Sequence, residues 1–220
     1  MANENSLFFP SCVFTSASPQ AAKKLQEIMA AAMPVAGCCR TSRQDYPQGT
    51  RALYFCQACR GTLGERSPQL TPENLFVWWD RESGYPLPDY SGLTVSVQDC
   101  WRDREHPEIH QAVRSLLGKM GIKVLEIPEN REKADYCGTL HYVPERPEAQ
   151  AILRARPDTP LVQFPPEEQK VLFAGQVEKH GGRPVLCYCN RCKAGIEVAG
   201  GKAVHLMELV MGTYEGDGCL

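Results

Sequence analysis

The segment CCRTSRQDYPQGTRALYFCQAC, residues 38–59, sets the vicinal pair Cys38 and Cys39 ahead of a Cys-x-x-Cys formed by Cys56 and Cys59. Thiols this dense pair as disulfides, bind something soft, or react. The chain has 220 residues and eleven cysteines, and a chain of that length buries a core without disulfide staples. Its start, MANENSLFFPSC, has neither the basic region nor the apolar run of an export signal, so a cytoplasmic setting is expected. Reducing cytosol disfavours structural disulfides, and an odd cysteine total argues against complete pairing. Metal or redox chemistry is the reading that remains.

The elements that must position these thiols occur twice. LFFPSC, ending at Cys12, matches VSVQDC, ending at Cys100; both are short apolar strand patterns closed by a cysteine. Beyond Cys12, residues Ala21, Leu25, Ile28, Met29 and Ala32 share one helical face; beyond Cys100, residues Ile109, Val113, Leu116, Leu117 and Met120 do the same. Each member of the second set lies 88 residues after its counterpart, the offset that also separates Cys100 from Cys12. Pro19 and Pro107 suit the first turns of these helices. In looser register, GCC (Gly37–Cys39) answers DYCG (Asp135–Gly138), and ALYFCQAC, ending at Cys56 and Cys59, answers PVLCYCNRC, ending at Cys189 and Cys192. The tails PENLFV and HLMELV also correspond, more weakly.

The expected fold class is therefore α/β, with two pseudo-symmetric strand–helix–strand units, parallel sheets and cysteines at the strand carboxyl ends. Open parallel sheets gather their ligands there. The Gly- and Pro-rich stretch Asp80–Leu93 reads as the linker. The units are placed at 1–82 and 83–220, which allows one compact domain.

In the first unit Cys12, Cys38, Cys39, Cys56 and Cys59 would converge. Five thiolates exceed the four that satisfy tetrahedral zinc or an ordinary four-iron cluster. Adjacent side chains diverge in most backbones, so a vicinal pair suits a larger, irregular iron–sulfur cluster better than one ion. The second set, Cys100, Cys137, Cys189 and Cys192, has four members.

A lone Cys, a Cys-Cys pair and a Cys-x-x-Cys, given twice over nearly the whole chain, resemble the cysteine-rich CCG domain. That domain is duplicated in the B subunit of heterodisulfide reductase and in related glycolate, lactate and glycerol-3-phosphate oxidation subunits. The resemblance implies a non-cubane 4Fe-4S cluster at each set and reduction of a disulfide by successive one-electron steps. It makes ligands of Cys12, Cys38, Cys39, Cys56 and Cys59 in the first set, and of Cys100, Cys137, Cys189 and Cys192 in the second, with Gly138 as the motif glycine. Three departures are visible: Tyr136 replaces the first cysteine of the second vicinal pair, Arg40 replaces the glycine after the first, and the spacings differ. Sixteen residues separate Cys39 from Cys56, and fifty-one separate Cys137 from Cys189. A four-thiol second site suits zinc, a simpler cluster, or a cluster completed by Cys187 or Cys219. By strand alternation Cys187 shares a face with Cys189; the bland reading makes it a small buried hydrophobe and Cys219 a terminal thiol.

Among the histidines, His106 and His110 are expected on the surface of the second helix, His141 near Cys137, and His205 in a structural role. Trp78 and Trp79 read as core. No nucleophile elbow, P-loop, dinucleotide fingerprint or ferredoxin-type Cys-x-x-Cys-x-x-Cys run occurs, so electrons must come from another protein. A formal net charge of −2 marks no nucleic-acid binder, and no run reaches the ~20 apolar residues of a membrane span. The leading expectation is an iron–sulfur redox protein that reduces a small disulfide or relays electrons within a larger complex. The alternative is a zinc-stabilised scaffold or assembly module whose thiolates only hold the fold.

Overall fold

The computed structural model describes residues 5–42 and 45–215; Cys219 lies outside them. The chain divides into two compact units, one drawn from the chain up to Pro88 and again from Met207, the other from Asp89–Leu206. Among the described residues no helix is long and apolar enough to cross a membrane.

The first unit runs β1 (Ser6–Phe8), α1 (Cys12–Ala17), α2 (Pro19–Ala32), β2 (Arg51–Tyr54), α3 (Gln57–Arg66), β3 (Thr71–Asn74) and α4 (Leu75–Glu82). Its sheet is parallel in the order β1-β2-β3, and Val35 adds a parallel bridge to Phe8 on the outer side of β1. The second unit runs β4 (Thr94–Gln98), α5 (Pro107–Lys119), β5 (Lys123–Leu125), α6 (Pro147–Ala155), α7 (Pro166–Lys179), β6 (Val185–Cys187), α8 (Asn190–Val198) and β7 (Ala203–His205). Its parallel sheet has the order β5-β4-β6-β7. The last helix, α9 (Leu206–Val210), begins at the end of the second unit and continues among residues of the first.

The duplicated α/β pattern holds in its topology. Val35 lies 88 residues before Lys123, so the Val35 bridge stands where β5 stands, followed in both sheets by the same parallel order. The tails correspond too: β3 leads directly into α4 as β7 leads into α9. The repeated helix faces are the buried ones. Ala21, Leu25 and Met29 of α2 and Ile109, Val113, Leu116 and Leu117 of α5 are buried, each large side chain contributing about 1.5–3 kcal/mol. Pro19 and Pro107 occupy first turns, where a missing N–H costs nothing. An aromatic cluster closes the first core: Phe55 stacks on Phe8 at 6.5 Å and meets Phe14 and Phe76 edge-on at 5.2 and 5.9 Å.

Three local expectations are corrected. The linker starts later than Asp80, because α4 continues through Glu82, where Arg81 pairs with Glu73 at 2.7 Å. His110 lies inside, 2% exposed, on the core face of α5 beside Ile109 and Val113. Residues 207–215 belong to the first unit: the Ser18 hydroxyl donates to Glu208 and Lys24 Nζ to the Met211 carbonyl at 2.6 Å. Trp78 and Trp79 are core residues of α4, and His205 is fully buried at the end of β7.

Candidate metal centre

Parallel strands end at one edge of each sheet, and the thiols collect there. In the second unit Cys100 lies two residues beyond β4, Cys137 in the long loop after β5, Cys189 two residues beyond β6, and Cys192 in the first turn of α8. Their four sulfur atoms all lie within 4.8 Å of one another, and every one of these residues is buried. The Cys100 and Cys137 sulfurs are 3.4 Å apart. Among the described residues this is the group of ligand-type side chains close enough to share one ion. Cys187 ends β6, buried, and is not a member.

Different devices hold Cys100, Cys137 and the pair on α8. Cys189 caps α8 and Cys192 follows one helical turn later, so the helix itself sets their separation. The Cys100 amide donates to the Tyr188 hydroxyl at 3.1 Å, which ties the end of β4 to the residue before Cys189. The loop carrying Cys137 closes on itself, the Cys137 amide donating to the His141 carbonyl at 2.7 Å, and the His141 ring stacks on Trp101 at 4.0 Å. Two glycines allow that loop to reach α8. A Cβ on Gly138, which has φ +49°, would lie 1.8 Å from the Arg191 carbonyl oxygen; one on Gly195 would lie 2.2 Å from the Tyr136 hydroxyl. Tyr136 is fully buried with its hydroxyl unbonded, and it occupies the position where the repeat pattern places a thiol.

The protonation pattern follows from this crowding. Cys189 accepts hydrogen bonds from Cys100, Cys137 and Cys192, which hold its thiol well below the ordinary range. Burial pushes Cys100 and Cys192 well above it. A buried thiolate shared by neighbouring thiols is the arrangement that a cation displaces protons from.

The first unit gathers its five cysteines more loosely. Thiol–thiol contacts run from Cys12 to Cys38, Cys38 to Cys39, Cys39 to Cys59 and Cys59 to Cys56. Exposure falls from Cys12, exposed, through half-buried Cys38 to buried Cys39 and Cys59, and rises again at half-buried Cys56. The Cys59 thiol donates to Cys56, which also faces the amides that open α3, and together they lower the Cys56 thiol to about 6. Cys59, giving up its proton to that bond and buried, is pushed far upward. No disulfide joins any of the ten described cysteines.

A tetrahedral ion with metal–sulfur bonds of about 2.3 Å has sulfur–sulfur edges of about 3.8 Å. The four sulfurs of the second unit, within 4.8 Å of one another, fit that figure. In a four-iron cluster each thiolate binds a different iron, which sets the ligand sulfurs further apart. The residues present therefore fit a thiolate-bound metal, and the closed second site fits a single ion best. Residues that the sequence did not single out include Tyr188, Gly195, Asp99 and Arg114. An acid closing the apolar run VSVQ was the available signal, because a carboxylate at the end of a buried strand needs a cation.

Comparison with protein-family models, curated proteins and solved structures finds no match for this chain.

Proposed function

We propose that this chain is an iron–sulfur redox protein of the kind its motifs resemble, reducing a disulfide or relaying electrons received from a partner protein. The observation that carries the metal part of this reading is the buried group of Cys100, Cys137, Cys189 and Cys192, with all four sulfurs within 4.8 Å. The corresponding strand ends of the first unit bring Cys12, Cys38, Cys39, Cys56 and Cys59 into one continuous chain of thiol contacts. Exposure divides the roles. A closed site excludes substrate, whereas a site that keeps an open side admits one. Cys12 and Cys38 give the first unit that open side, so contact with substrate is assigned there. A bound cluster would supply one-electron chemistry. The chain's own residues shape the site and its access, with Cys39, Cys56 and Cys59 as inner ligands and Cys12 and Cys38 at the rim.

A second reading has its own support. The sulfur spacing of the second unit suits one tetrahedral ion, as in a structural zinc site. In that reading the second unit is a metal-stabilised scaffold and only the first is redox-active; with zinc in both, the protein is an assembly module. Anaerobic purification followed by iron, sulfide and zinc counts and visible absorption tests the proposal. Iron and sulfide lost together in Cys38→Ser and Cys39→Ser support it. A colourless protein carrying only zinc sinks the redox reading.

A further inference from the structure

Cys100 is held differently from the other three thiols of the second unit, because the regular ladder beside it has already ended. The pairing of β5 with β4 stops at Ser96 opposite Leu125. The next backbone groups of β4 are taken by a side chain: Asn130 Nδ2 donates to the Val97 carbonyl at 3.0 Å, and Asn130 Oδ1 accepts from the Asp99 amide at 3.3 Å. Asp99, fully buried and immediately before Cys100, is then clasped from two sides. Arg114 of α5 donates through Nη1 to Oδ1 at 2.7 Å and through Nη2 to Oδ2 at 2.6 Å, and the Arg131 amide donates to Oδ2 at 2.9 Å.

Two features point past ordinary stabilisation. Arg131 has φ 59°, the one non-glycine positive φ among the described residues, and that conformation aims its amide at Asp99. Such strain persists only where the surroundings over-determine it, and it concentrates at functional sites. Glu126 supplies the surroundings, binding Arg114 Nε at 2.9 Å, Arg114 Nη2 at 2.7 Å, Asn130 Nδ2 at 2.6 Å and Arg131 Nη2 at 3.3 Å. Buried ion pairs add little net stability over well-packed apolar groups of the same shape, so what such a pair secures is position.

We infer that the Asp99–Arg114 pair, with Asn130 and Arg131, is the positioning device for the second metal centre, fixing the turn from which Cys100 reaches Cys137, Cys189 and Cys192. The inference rests on the reading of those four thiols as metal ligands. Outer partners of metal ligands typically govern affinity by about 10- to 100-fold. Asp99 and Arg114 touch no metal; they act through the backbone at Cys100.

The test loads the full chain with cobalt(II) or zinc(II) and follows three readouts: the cobalt absorption spectrum, the rate of metal loss to a chelator, and the urea midpoint. In Asp99→Asn/Arg114→Met the chelator should strip metal about 10- to 100-fold faster, with the cobalt spectrum moving away from four-sulfur coordination. Glu126→Gln, at a half-exposed residue whose replacement leaves the core intact, should give a smaller acceleration in the same direction and covers the case in which the double variant does not fold. A lower urea midpoint with an unchanged cobalt spectrum and chelator rate would make the network a plain structural strut and overturn the inference. Variants that hold metal as the wild type does also overturn it. If the wild type itself takes up neither ion, the reading beneath it falls as well, so the two failures are told apart.

Discussion

Replacing Gly138 by alanine tests most directly whether the second site is assembled by loop docking. The residue follows Cys137, and its φ of +49° alone costs an alanine about 1–2 kcal/mol. The larger effect is steric. The new Cβ would sit 1.8 Å from the Arg191 carbonyl oxygen and 2.6 Å from its carbon, both backbone atoms at the start of α8 that cannot rotate away. To reach even 3.0 Å the loop must retreat from the helix, carrying Cys137 with it. Metal–ligand distances tolerate about 0.2 Å, so a retreat of ~1 Å removes Cys137 as a ligand while the other three sulfurs stay put. The assay is competitive zinc titration against a chromophoric chelator, with cobalt absorption to count sulfur ligands. Gly138→Ala should lose at least about 10-fold in affinity and show a three-sulfur spectrum. Gly200→Ala is the control: φ there is +84°, but a Cβ meets nothing within 4 Å, so it carries the backbone cost without the clash. Wild-type affinity in Gly138→Ala, or an equal loss in Gly200→Ala, would refute the docking argument.

Three further outcomes follow from named contacts. Tyr188→Phe removes the acceptor of the buried Cys100 amide and should cost about 1–3 kcal/mol with weaker zinc binding; an unchanged urea midpoint and affinity would show that the 3.1 Å bond carries nothing. In the metal-free chain, Cys56 should alkylate before Cys59 with a pH midpoint near 6 rather than the ~8.5 of an ordinary thiol, read by peptide mass mapping; labelling of Cys59 first contradicts the pairing. His180 is buried and lowered to about 4, so it stays neutral in the folded chain with Nε2–H donating to Gln98 and Nδ1 accepting from Ser96. Its contribution is fully present above pH ~6.5 and drains away as pH falls toward 4, totalling about 3 kcal/mol. His180→Gln should flatten the urea-midpoint slope of the metal-free chain over that window, and an identical slope would refute it.

The cysteines, their repetition at an offset of 88 residues and the two matched helix faces were all legible in the sequence, because each is a local pattern of residue type and spacing. Strand-end placement followed from the same patterns, since a parallel sheet puts the ends of its strands at one edge. The membership of the second set, Cys100, Cys137, Cys189 and Cys192, was legible in the motifs too. The tertiary structure decided that these four sulfurs close to within 4.8 Å of one another with Cys187 left out, because that depends on how separate loops and a helix pack. It also placed Tyr136 against Gly195, the Tyr188 hydroxyl on the Cys100 amide, and Arg114 on Asp99. His110 shows the limit from the other side: a polar residue on a helix reads as exposed, yet its place beside Ile109 and Val113 turned it inward. The return of the chain after Met207 to the first unit belongs to the same class. A local pattern states which face an element must bury; which distant side chain completes that face, or carries the charge that a buried carboxylate requires, is settled when the elements pack.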